Sequence, residues 1–443
     1  MMTTQAERAA VKMEEHARAM PGVHTVRRPV VDDGVGRLSA DEDVFDLTYV
    51  RNRATASGPL VDPGTSVPIV VVPGGPGLAS VLMYARFREA AVKRGLDVVM
   101  MDHRGTGLSR VRPDGTLLPR EAMRSRFVVD DLAAILDAEG IDRAVVVGSS
   151  YGTYVAQAFA VVHPDRVAGL VLDSPMLEVS PTAAQPAAQS AAQPAAPSDR
   201  ETVARYAAAV LDTPKFRSLV EDGPIAGASA GTPIPEAELG EHARILHEFA
   251  GPEVLDAYLN QLRLGKARRT REFLTSLGGK DFESDRPMVF AVDLVNEIAY
   301  RELGYGVVPD SPFSAADRFR EAAAGYSPFE GPDVDIAAAL PEYPGPIAVV
   351  SGRRDLRTPR PVAEAIVEQA QHGVLVDVPD HGHSALDAHQ SVLLAVAEAV
   401  VAGRTDELAW NPGRWAGIPR SGTGNHLMGK VFRAALAWDR LTS

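Results

Sequence analysis

Six short runs of apolar, mostly β-branched residues recur along the chain, at residues 67–72, 96–101, 143–147, 167–172, 346–350 and 374–378. Their continuous apolar character is that of strands buried on both faces of a parallel sheet. Turn residues follow each run, and helical periodicity fills several of the gaps. Within 128–136, Val128, Leu132, Ile135 and Leu136 share one face, with Asp130 and Asp131 expected largely away from it. Residues 151–162 and 360–371 repeat the pattern. Strand alternating with helix predicts an α/β protein with right-handed crossovers and a mostly parallel, doubly wound sheet. The run 44–50 alternates instead and reads as an antiparallel edge strand.

The alternation stops between about 177 and 340. Residues 183–198, AAQPAAQSAAQPAAPS, are low-complexity Ala/Gln/Pro and read as a mobile linker, because repeated prolines oppose a helix. Beyond it the periodicity is helical at 203–211, 236–249, 253–264 and 289–303, with few strand-like runs. This predicts an inserted helical cap. The expected organisation is a first core segment at 1–178, the cap at 179–340, a second core segment at 341–403 and a C-terminal extension at 404–443. The extension carries Trp410, Trp415 and Trp438, and its aromatics predict that it docks on the body.

Composition narrows the function classes. The chain has 443 residues, 45% of them hydrophobic, enough for a large core. Acidic residues outnumber basic ones, 58 to 45, for a formal charge of −13. That charge repels phosphate backbones and argues against nucleic-acid partners. There is no cysteine, hence no disulfide, thiolate metal site or cysteine nucleophile. The first twenty residues lack an apolar core of the secretory type, and no apolar run is long enough to span a bilayer. The expectation is a soluble, cytoplasmic protein with no membrane partner. No spacing suggests a metal, and no cofactor is expected. Composition leaves the oligomeric state open.

The candidate chemistry is acyl transfer. Gly148-Ser149-Ser150-Tyr151-Gly152 joins the strand at 143–147 to the helix that opens at Tyr151. A nucleophilic serine needs such a tight strand-to-helix turn, with glycines relieving the crowding and the helix N-terminus favouring negative charge. A second match, Gly227-Ala228-Ser229-Ala230-Gly231, has no strand before it and no amphipathic helix after it, and reads as a cap loop. Pro73-Gly74-Gly75-Pro76-Gly77 follows the strand at 67–72 and can supply an oxyanion donor. Gly75 is the candidate, since proline has no N–H, and the amide of Tyr151 is the second donor. A serine also needs a histidine base oriented by a carboxylate. Ser351-Gly352-Arg353-Arg354-Asp355 leaves one late strand, and Pro379-Asp380-His381-Gly382-His383-Ser384 leaves the last. Asp355 and His383 are the candidates. His381 competes as base; Asp377 and Asp380 compete as acids but are close in sequence to the histidine. His16, His242 and His426 show no partner pattern and read as surface or packing residues. In Asp102-His103-Arg104-Gly105-Thr106-Gly107-Leu108-Ser109, Asp102 and Arg104 are expected to brace a tight loop.

Taken together, PGGPG, DHRGTGLS, GSSYGT, SGRRD and GHS, in this order, resemble the prolyl iminopeptidase and tripeptidyl aminopeptidase family. The resemblance covers roughly 46–175 and 346–401, is weak in the cap and absent in the tail. It departs from the family at Pro73, where a histidine is usual. It implies an α/β-hydrolase fold with an inserted helical cap, a Ser150–Asp355–His383 triad and release of N-terminal residues from peptides. It further implies a cap carboxylate that holds the substrate's ammonium, and Asn296-Glu297 resembles the segment that carries it, so Glu297 is the candidate anchor. The expected substrate is a small peptide. An ester, amide or thioester of small-molecule metabolism is the alternative, and a non-catalytic binding protein a more distant one. Epoxide hydrolysis or dehalogenation fits poorly, since such enzymes carry a carboxylate where this chain has Ser150.

Overall fold

The computed structural model describes residues 5–31, 43–55, 57–61, 67–177, 198–226, 229–230, 232–278, 286, 288–307, 311–313, 316–422, 424 and 427–442. The Ala/Gln/Pro run at 183–198, apart from Ser198, lies outside them, as does His426.

The strands of the main sheet are β1 (Val23–Pro29), β2 (Val44–Asn52), β3 (Ile69–Val72), β4 (Val98–Met101), β5 (Ala144–Ser149), β6 (Val167–Asp173), β7 (Ile347–Gly352) and β8 (Gly373–Val378). Their spatial order is β1-β2-β4-β3-β5-β6-β7-β8. The first two pairings, β1 with β2 and β2 with β4, are antiparallel, and the rest are parallel. The six apolar runs are thus the parallel strands. The run at 44–50 is antiparallel but is not the edge: β1 pairs along its outer side. The sequence of β1, VHTVRRP, hides it, because Arg27, Arg28 and Pro29 follow only two apolar residues and the strand is only partly buried.

Helices α1 (Gln5–Arg18), α2 (Ala85–Lys93), α3 (Ser125–Ala138) and α4 (Tyr151–Val162) precede the insertion. Within it lie α5 (Asp199–Leu211), α6 (Pro214–Glu221), α7 (Glu236–Ala250), α8 (Pro252–Arg263), α9 (Arg268–Gly278), α10 (Asn296–Arg301), α11 (Ala316–Ala323) and α12 (Ile336–Ala339). After it come α13 (Arg360–Gln369), α14 (Ala385–Ala388), α15 (Gln390–Val401) and α16 (Met428–Thr442).

Because side chains alternate along a strand, each parallel strand feeds two cores. Val70, Val72, Val146, Leu170, Leu172 and Val349 pack against α3, α4 and α13. Ile69, Val71, Val145, Val147, Val171 and Val350 pack against α2 and α15 on the other face. Asp131 departs from the amphipathic reading of α3: it is fully buried and takes both forks of Arg104, at 2.8 Å each, with Arg28 also at 2.8 Å. A buried carboxylate is tolerable when it is paired in this way. Asp102 braces its loop as expected. One oxygen accepts the amides of Ser80 and Val81 at 2.7 and 2.9 Å, the other that of Leu108 at 2.9 Å.

The cap has a third core, built from α5 to α9. His242 packs there, bonded to the Tyr258 hydroxyl at 2.9 Å. The expected helix at 289–303 is shorter than its pattern. Only α10 is helical, because residues 289–291 spend their backbone on the loop after β3: Ala79 N donates to Val289 O, and Ala291 N to Gly77 O. In the second Gly-x-Ser-x-Gly match, Ser229–Ala230 is a two-residue strand paired antiparallel with Ile225–Ala226, and Gly227, Ala228 and Gly231 lie outside the described residues. The C-terminal extension docks, though not through all its aromatics. Trp415 is buried beside Leu408 in the core under α15, and Trp438, though 55% exposed, lies under the Arg269 guanidinium of α9 at 5.7 Å, whereas Trp410 is 73% exposed. Its final helix, α16, adds Phe432 and Leu436 to the cap core.

Candidate active site

Ser150 is the one residue between β5 and α4, so the chain turns from strand to helix on it alone. Its backbone sits at φ 52, ψ −120, a region that costs a non-glycine residue about 1–3 kcal/mol. The neighbours leave no slack. A Cβ on Gly148 would come 2.3 Å from Gly152 O, and one on Gly152 would come 2.0 Å from Val72 O. The Ser150 amide is tied to the Asp173 carbonyl at the end of β6, 2.8 Å away. The Tyr151 amide is the first of α4 and has no intrahelical acceptor, so it remains a donor at the positive end of the helix.

The loop after β3 lies against this turn. A Cβ on Gly74 would be 3.1 Å from the Ser150 Cβ and 3.8 Å from its Oγ. Gly75 has φ 123, open only to glycine, and its carbonyl accepts the Tyr305 hydroxyl at 3.2 Å. The cap therefore touches the loop that carries the candidate donor Gly75, through Tyr305 and through residues 289–291.

Asp355 follows β7 and His383 follows β8, neighbouring strands of the sheet. His383 Nδ1 lies 3.0 and 3.1 Å from the two Asp355 oxygens. The carboxylate also accepts the amides of Arg357 and Thr358 and the Thr358 hydroxyl. Burial opposes charge on Asp355, but the attraction and hydrogen bond of His383, with those amides, outweigh it and hold the carboxyl well below its usual range. Burial likewise works against a charged His383, and Asp355 more than offsets it, raising the imidazole above its ordinary value. The competing acids are otherwise engaged. Asp377 pairs with Arg353 and Arg360, Asp380 with Arg354. His381 is buried and pushed down to about 3 by desolvation, and its Nε2 meets no hydrogen-bond partner among the described residues. Ser149 and Ser384, the neighbours of Ser150 and His383, touch through their hydroxyls at 3.0 Å. That contact brings the serine loop and the histidine loop together at the carboxyl edge of the sheet.

Glu297 lies on α10 with 1% of its surface exposed. Its carboxylate has Arg301 at 3.4 Å and accepts the Ser327 amide at 3.3 Å. The adjacent Glu302 is also buried, and burial, then Asp333, pushes its carboxyl up to about 7; its oxygens accept the Ser125 amide at the start of α3. Motif reading passed over three other residues near the site. Tyr305 reaches the Gly75 carbonyl. His103 Nε2 is 3.0 Å from the Tyr151 hydroxyl. Asp173 takes the Ser149 hydroxyl at 2.7 Å. Of these only His103 lay inside a motif already singled out. Among the described residues no cluster of His, Asp or Glu is arranged to hold a metal ion, and no helix is long and apolar enough to cross a membrane.

Residues 67–223 match the family described as alpha/beta hydrolase fold. The chain is 33% identical over 114 residues to the proline iminopeptidase of Heyndrickxia coagulans, covering 26% of this chain and 37% of that protein. It is 40% identical over 77 residues to epoxide hydrolase B of Mycobacterium tuberculosis, covering 17% and 20%. It is 36% identical over 119 residues to the 2-hydroxymuconate semialdehyde hydrolase of a Pseudomonas species, covering 26% and 38%. Across these three the match spans no more than 38% of the relative's length. The solved proline iminopeptidase of Mycobacterium smegmatis is 17% identical with a TM-score of 0.42, over 87% of this chain and 98% of that one. The fold is the α/β-hydrolase fold, with an eight-stranded, mostly parallel sheet and helical insertions, and the homology to these hydrolases is distant and partial.

Proposed function

We propose that the chain is a serine hydrolase that works through an acyl-enzyme on Ser150, and that its substrates are short peptides with a free N-terminus. The observation that carries the chemistry is the buried Asp355–His383 contact. A carboxylate on Nδ1 selects the tautomer that leaves Nε2 able to take the Ser150 proton. The serine oxygen then attacks the substrate carbonyl, and the amides of Gly75 and Tyr151 receive the oxyanion. His383 returns the proton to the leaving amine, and water repeats the sequence to free the acid.

The peptide assignment rests on the motif resemblance and on the likeness to proline iminopeptidases. Glu297 is the proposed ammonium anchor, and it would have to exchange its Arg301 contact for the substrate's cation. That pairing supports a second reading, an esterase, amidase or thioesterase with a small-molecule substrate and no amine requirement. A fluorophosphonate probe, with the labelled peptide located by mass, tests the nucleophile. Pro- and Ala-aminoacyl reporters, assayed against their N-acetylated forms and simple esters, test the substrate. Labelling at Ser150 with turnover of free-amine substrates alone supports the peptidase. Ester turnover with no amine requirement selects the second reading, and absence of labelling removes both in favour of a binding protein.

A further inference from the structure

The residue before the nucleophile, Ser149, has a buried polar system behind it. Its hydroxyl donates to Asp173 Oδ2 at 2.7 Å and meets the Ser384 hydroxyl at 3.0 Å. Asp173 is fully buried at the end of β6. One of its oxygens accepts the Ala385 amide and the other the Leu386 amide, both at 2.9 Å. These are the second and third residues after His383. The Asp173 carbonyl accepts the Ser150 amide. One residue therefore grips the nucleophile turn by its main chain and the histidine loop by its side chain.

A second observation coincides with this. Four non-glycine residues have positive φ among those described: Ser150, Ser174, Asp380 and Ser384. Three of them surround Asp173. Ser174 follows it in sequence, and the Ser174 hydroxyl accepts the Ser384 amide at 3.0 Å. Ser384 in turn donates to Asp387, which also accepts the Tyr84 hydroxyl at 2.8 Å. Backbone held in sparsely populated conformations persists only where its surroundings over-determine it. Here the over-determination is centred on one carboxylate.

We propose that Asp173, acting with Ser149, is a positioning residue that sets the His383 loop in register with Ser150. The proposal rests on the serine-hydrolase reading above. Neither side chain need touch substrate. Ionised Asp173 can accept from all three donors at once, the two amides and Ser149. Once protonated, one oxygen becomes a donor and opposes an amide that also donates. Burial pushes this carboxyl up to about 6, although Leu386, Ala385, Ser149 and His383 all favour its charged form. The titratable groups facing it are His383 and Tyr84, with Asp387 beyond Ser384.

The test is the rate of Ser150 phosphonylation by a fluorophosphonate, resolved into probe binding and the chemical step, from pH 4 to 9. The wild-type chain must first label at Ser150; failure there overturns the hydrolase reading and the present proposal with it. Given labelling, Asp173→Asn should slow the chemical step by 10-fold or more with probe binding unchanged. Its acid limb should involve one proton, where the wild-type limb, with His383 and Asp173 both titrating, involves more than one. Ser149→Ala removes one link only and should slow the same step several-fold while melting cooperatively near the wild-type temperature. If Asp173→Asn does not fold, Ser149→Ala decides alone. A folded variant of either kind that labels at the wild-type rate, with a wild-type acid limb for Asp173→Asn, overturns the proposal.

Discussion

His383 turns its Nδ1 to Asp355, 3.0 Å away, which leaves Nε2 for the proton transfer proposed from Ser150. The signs of the two shifts fix the pH behaviour. A base must be neutral to accept a proton, so activity falls as pH drops through the raised pKa of His383, above the ordinary value of about 6.5. Stability follows linkage. The Asp355 contribution is present above its unfolded value of about 3.9 and is lost as pH falls through its depressed folded value. The His383 contribution is full below about 6.5 and is lost as pH rises through its raised one. Asp355→Asn should move the acid limb of kcat/KM downward and lower kcat by roughly 10⁴-fold. A pH–rate profile of the variant with an unmoved limb contradicts this.

Gly152 has no room for a side chain, since its Cβ would lie 2.0 Å from Val72 O and 2.7 Å from Pro73 O. Gly152→Ala should push α4 off β3 and cost about 3 kcal/mol. Urea unfolding of the variant against wild type measures this, and an unchanged midpoint contradicts it.

Arg104 and Asp131 are both fully buried, so each needs the other. Replacing Asp131 with Asn leaves the guanidinium unbalanced and should cost roughly 3–5 kcal/mol. Replacing both with apolar residues of similar size should recover much of that loss. Thermal melts of the single and double variants make the comparison.

The tail's tryptophans separate cleanly. Trp415→Ala removes a side chain that is 1% exposed and should cost about 3–5 kcal/mol. Trp410→Ala, at a residue 73% exposed, should stay within about 0.5 kcal/mol of wild type. Equal losses in the two melts would break the assignment of docking to Trp415.

Much of the core and of the candidate site was legible because apolar runs and turn motifs are local signals. Ser150, Asp355 and His383 each sit just past a strand that its own residues announce. What stayed hidden depends on partners far along the chain. Asp131 reads as a solvent-facing acid until Arg104 is seen to meet it. In β1, Arg27 and Arg28 interrupt the apolar pattern, and only its ladder with β2 declares it a strand. Residues 289–291 carry helical periodicity, yet the backbone groups of Gly77 and Ala79 claim their hydrogen bonds. Asp173 falls just past the apolar run 167–172 and carries no local signal, and its contacts with Ser149 and with the amides after His383 appear only in the fold.

The β6–β7 pairing has a consequence for assembly. Leu170 lies opposite Ile347, so the sheet closes only after the chain between them has returned. Lengthening such a loop adds little to its closure cost, which grows only as the logarithm of length, but non-local pairing slows folding. The strand that leads into Ser150 precedes the insertion, and those that lead into Asp355 and His383 follow it. Under the proposed mechanism, a chain halted before β7 reaches β6 carries its serine with no base beside it, so nascent and half-folded forms would be chemically silent until the sheet is whole.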